Sequence, residues 1–107
     1  MTVFDKREKG LENRFAHDEA LKFKATARRD RVFGLYIAEV LGKSGDDATA
    51  YADSVIKSNL AMPGDEDMFA KVRADLDAST ADLSDHLMRK KADEIMAQVV
   101  ADIDKGK

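Results

Sequence analysis

Apolar residues recur along this chain at intervals of three and four, the spacing that lines one face of a helix, and no stretch alternates with the period of two a strand requires. A first long helix is expected from about Ala16 to Leu41, with Val32, Leu35, Tyr36, Ile37, Val40 and Leu41 as candidates for burial. Gly42 is placed to stop it in the left-handed conformation that glycine adopts without cost. Ser44 and Asp47 have the spacing of a capping box, and behind them Ala48, Tyr51, Ala52, Val55, Ile56 and Leu60 make one apolar face. Met62-Pro63-Gly64 breaks this second helix, because proline disfavours helical geometry in the residue before it.

Asp65, Glu66 and Asp67 place negative charge at the positive end of a third helix, whose stripe is Phe69, Val72 and Leu76 and which ends at Ser79-Thr80. Ser84 and Asp85 start the last helix, with Met88, Ala92, Ile95, Met96, Val99 and Ile103 along one face and a fraying tail from Asp104 to Lys107. Four amphipathic helices with short connections predict an all-α four-helix bundle over residues 18–107, with the apolar segment 32–41 at its centre.

Residues 1–17 fit this scheme least well. Phe4, Leu11 and Phe15 fall on one helical face, but Gly10 sits between them and charges of both signs fill the rest. Three apolar side chains do not offset the backbone entropy of ordering the segment. It is expected to be a flexible segment that folds into an amphipathic helix only against a groove.

Composition narrows the function. The 107 residues contain no cysteine, which removes disulfides, zinc–thiolate sites and thiol nucleophiles. No apolar run is long enough to cross a membrane and the amino terminus has no secretory core, so a cytoplasmic location is expected. The net charge of −3 argues against nucleic acid, yet it hides a split: residues 1–31 hold nine basic and six acidic side chains, and the acidic excess lies entirely beyond them.

No constellation for catalysis stands out. His17 and His86 each adjoin an aspartate, but sequence neighbours on a helix do not face each other. No set of histidines or carboxylates has metal-ligand spacing. Gly42-Lys43-Ser44 echoes the end of a phosphate loop, but Ile37 stands where the first glycine is required, and a helix precedes it. The cation clusters Arg28/Arg29/Arg31 and Arg89/Lys90/Lys91 read most simply as solvated helix faces, though either could hold an anion. A non-enzymatic protein is expected.

The strings Phe15-Ala16-His17-Asp18, Leu41-Gly42-Lys43-Ser44-Gly45, Val72-Arg73-Ala74-Asp75 and Ser84-Asp85-His86, in this order, resemble the zeta-subunit family of alphaproteobacterial F-type ATP synthases. The resemblance runs from Phe4 to about Val99. It implies a four-helix bundle that inhibits ATP hydrolysis by inserting its amino-terminal segment into the catalytic head, between the nucleotide-binding subunits and the central stalk. Carried onto this chain, Phe4, Leu11 and Phe15 become apolar anchors, while Lys6, Arg7, Lys9 and Arg14 meet acidic groups of the partner. The sequence departs from the family pattern at Gly10 and Leu11, where other members are more polar or alanine-rich.

The family also implies ADP or ATP as a regulatory ligand on the bundle, for which His86, Arg89 and Lys90 are the candidates, and no required cofactor. The alternative reading is therefore a nucleotide-sensing module acting through the bundle. Either way the chain is expected to be a monomer when free and peripheral to the membrane when bound to the synthase.

Overall fold

The computed structural model describes residues 18–60 and 64–106. They form four helices and, among the described residues, no strand: α1 (Glu19–Val40), α2 (Gly45–Leu60), α3 (Glu66–Asp77) and α4 (Asp85–Asp104). Residues 1–17, read above as a flexible segment, and the Met62-Pro63 break lie outside the described residues.

Local chemistry sets the boundaries. Asp18 caps α1 by accepting from the Leu21 amide at 3.1 Å, and Ser84 caps α4 by accepting from the Leu87 amide at 3.2 Å. Gly42 turns the chain out of α1 with φ of 81°, its amide and that of Lys43 closing on the carbonyls of Glu39 and Ala38.

α1 packs against both α2 and α4, and α3 against α2, so the 32–41 segment is central as expected. The faces it presents differ from the expected ones. Phe33, absent from the expected core, is fully buried with Ile37 and Ala38, whereas Val32 and Leu35 are 42% and 38% exposed. Each residue turns the helix by about 100°. Positions 33 and 37 therefore share the inner face, and 32 and 35 fall on the outer one.

Leu60, expected on the α2 face, is likewise exposed at the helix end. The core joins Phe33 and Ile37 to Val55 on α2, Met68, Val72 and Leu76 on α3, and Met88 and Ala92 on α4. Phe33 meets Phe69 edge to face at 5.9 Å between ring centroids.

Gly34 lets α1 and α2 touch. A Cβ at this position would lie 2.7 Å from the Ala52 Cα, so the crossing admits no side chain.

Candidate functional site

The largest buried polar arrangement is one that the charge pattern of the sequence hid. The sequence places Arg29 in a solvated cation cluster; in the structure it is 4% exposed, because the helix turn carrying Phe33 and Ile37 inward carries position 29 with them. Its Nε donates to Asp30 Oδ1 at 2.7 Å. Its Nη1 and Nη2 form a fork on Asp65, at the head of α3, at 3.2 and 2.7 Å. The Asn59 amide nitrogen, from α2, donates to Asp30 Oδ2 at 2.7 Å and to Asp65 Oδ1 at 3.1 Å. Asn59 Oδ1 is buried without a hydrogen-bond partner.

One guanidinium thus faces two carboxylates across three helices. Burial pushes the Asp30 carboxyl up from its ordinary value, outweighing the bonds from Asn59 and Arg29. The Arg29 hydrogen bonds hold Asp65 below its ordinary value, so the two acids separate in behaviour. Separation along the chain also concealed the cluster: Asn59 lies 29 residues from Asp30, and Asp65 lies 36 from Arg29.

The residues considered for nucleotide lie on the first turns of α4. Arg89 is committed: its guanidinium makes a two-bond pair with Glu66 at 3.0 and 3.1 Å and stacks over the Phe69 ring at 4.4 Å. His86 and Lys90 are exposed. Lys91 lies over the Tyr36 ring at 5.1 Å.

A shallow concavity of about 350 Å³ lies elsewhere, beside Lys43, Tyr51, Lys71, Asp75 and Ser79. Its polar groups largely satisfy one another, since Tyr51 Oη and Lys71 Nζ both donate to Asp75 Oδ2 at 2.8 Å. Burial pushes the Tyr51 hydroxyl up and Asp75 adds to it.

The connection into α4 is tied by Arg73, which donates to the Leu83 carbonyl at 2.8 Å and to Asp77 and Asp85 at 3.0 Å each.

Among the described residues no three metal-ligating side chains gather, and no helix is long and apolar enough to cross a membrane. The partner-binding candidates Phe4, Lys6, Arg7, Lys9, Leu11, Arg14 and Phe15 lie outside the described residues.

Comparison with known proteins supplies what the bundle's chemistry does not. No curated protein matches the chain. A protein solved by solution NMR superposes with a TM-score of 0.71 at 41% identity, over 81% of this chain and 99% of that one. The family model for ATPase inhibitor subunit zeta matches residues 1–102, the segment 1–17 included. With the four-helix architecture and nearly the whole chain in agreement, this protein belongs to the ATPase inhibitor subunit zeta family.

Proposed function

We propose that the protein inhibits ATP hydrolysis by an F-type ATP synthase by inserting residues 1–17 into the catalytic head, where the nucleotide-binding subunits meet the central stalk. The observation that carries this reading is the extent of the family match, which begins at residue 1 and so spans the segment as well as the bundle. The segment offers Phe4, Leu11 and Phe15 at helical spacing, with Lys6, Arg7, Lys9 and Arg14 beside them for acidic groups of the partner. The described bundle, by contrast, has its core filled by its own side chains.

α1 begins at Glu19, immediately after the segment, so a helix formed on binding at 1–17 would run toward a helix end that Asp18 now caps. Deleting residues 1–15 tests the reading. The truncated chain is expected to leave hydrolysis by the purified head at its uninhibited rate, and inhibition equal to that of the full chain would refute the insertion mechanism.

Nucleotide sensing through His86, Arg89 and Lys90 has less support, because Arg89 is already held by Glu66 and Phe69.

A further inference from the structure

Asp65 occupies the position before the first residue of α3 yet makes no side-chain bond to the open amides there. The equivalent residues of α1 and α4 do: Asp18 and Ser84 each accept from the amide three residues on. At α3 that amide belongs to Met68, and the Asp65 oxygens are turned instead to Arg29 and Asn59. Its backbone shows the same diversion, with ψ of 1° against 103° at Asp18 and 157° at Ser84.

The buried cluster meanwhile holds one cation and two carboxylates. Asp30 is 1% exposed and fixed between Arg29 Nε and the Asn59 amide, whereas the Asp65 side chain is 40% exposed and therefore the one able to leave. If Asp65 leaves, Arg29 and Asp30 remain as a neutral pair.

We propose that Asp65 is a two-position latch, bound either to Arg29 or to the Met68 amide at the head of α3, and that a proton on Asp30 sets which position it takes. The groups facing Asp30 are Arg29 from its own helix, Asn59 from α2 and Asp65 from the head of α3. Ionised Asp30 repels Asp65 and satisfies Arg29 by itself, which favours the outward, capping position. Once Asp30 takes a proton from solvent, Arg29 depends on Asp65 for its counter-charge and the latch closes. The coupling is reciprocal: Asp65 held inward favours the protonated form of Asp30, in the direction its carboxyl is already displaced.

The latch ties α1 to the connection between α2 and α3. Gly64, in the left-handed conformation with φ of 84°, directly precedes Asp65 and turns the chain there.

The test is a pH titration of the full chain by NMR, following the Asp30 and Asp65 carboxyl carbons and the Met68 amide, repeated on Asp65→Ser. Serine can cap α3 but cannot pair with Arg29. In the unmodified protein the Met68 amide is expected to shift with the same midpoint as the Asp30 carboxyl. In Asp65→Ser that step disappears from Met68, and the Asp30 midpoint moves to lower pH. A Met68 amide that ignores the titration of Asp30, an Asp30 midpoint that Asp65→Ser leaves in place, or an Asp65→Ser chain that fails to fold would each overturn the latch, since the capped state must itself be a folded one.

Discussion

Arg29 carries a guanidinium through a packed helix face, and its neighbours decide what that does for stability. Replacing it with methionine keeps most of the volume but leaves the buried Asp30 carboxylate without its counter-charge. Breaking a buried ion pair in this way costs about 3–5 kcal/mol. Urea denaturation at neutral pH is expected to show a loss of that size, and a loss below about 1 kcal/mol, the ordinary value of a surface pair, would mean that the cluster is solvated.

The two carboxylates act oppositely with pH. Asp65, held low by Arg29, contributes stability that is complete above its unfolded value and lost as pH falls through its folded one. Asp30, held high by burial, binds its proton more tightly in the folded chain, so its contribution grows as pH falls through its folded value. Stability measured by denaturation across mildly acid pH is therefore expected to rise before it falls, whereas a steady decline from neutral pH downward would contradict the assignment.

Gly34 is the other decisive residue. Alanine there would set its Cβ 2.7 Å from the Ala52 backbone and force α1 and α2 apart. Overpacking of this kind costs about 1–3 kcal/mol, and a Gly34→Ala chain whose denaturation midpoint is unchanged would show that the crossing can open freely.

At the scale of elements, the chain announces its breaks and its helix ends plainly. Gly42, Gly64 and Ser84 mark boundaries in the sequence, and the structure has them at φ 81°, at φ 84° and as a bonded cap. The reason is that these signals act within four residues and need no tertiary context.

Ser84→Ala accordingly removes one local bond and is expected to lower stability by about 1 kcal/mol, read as a lower thermal midpoint of the helical circular dichroism signal. An unchanged midpoint would show that Arg73, which grips the same connection through the Leu83 carbonyl and Asp85, suffices without the cap.

What the sequence pattern did not disclose is rotational phase and partnership at a distance. The run from Val32 to Leu41 is apolar on most faces, so its composition could not say that Phe33 faces in and Leu35 out. Arg29, Asp30, Asn59 and Asp65 each look like surface residues when taken singly, and only the crossing of α1, α2 and α3 makes them one cluster. Arg89 was singled out for its charge, but its use as a clamp on Glu66 and Phe69 depends equally on α3 arriving beside α4.

For the whole molecule, the charge split acquires a spatial sense. The basic excess of residues 1–31 is shared between the segment before α1 and the first half of α1 itself, where Arg29 is withdrawn into the interior and Arg31 pairs loosely with Asp53 at 3.6 Å. The described residues, 18–60 and 64–106, carry the core, the caps and the buried cluster. Membership of the ATPase inhibitor subunit zeta family then bears on the remaining segment, because the family match includes it.

The measurement that tests this division most directly is inhibition of ATP hydrolysis by a purified F-type catalytic head. It compares the full chain with the triple variant Phe4→Ala, Leu11→Ala, Phe15→Ala. If the three side chains are anchors in a desolvated groove, each is worth on the order of 1 kcal/mol or more, and the variant needs at least about a hundredfold more protein for half inhibition. Equal potency of the two chains would contradict the account and move the inhibitory contact onto the bundle.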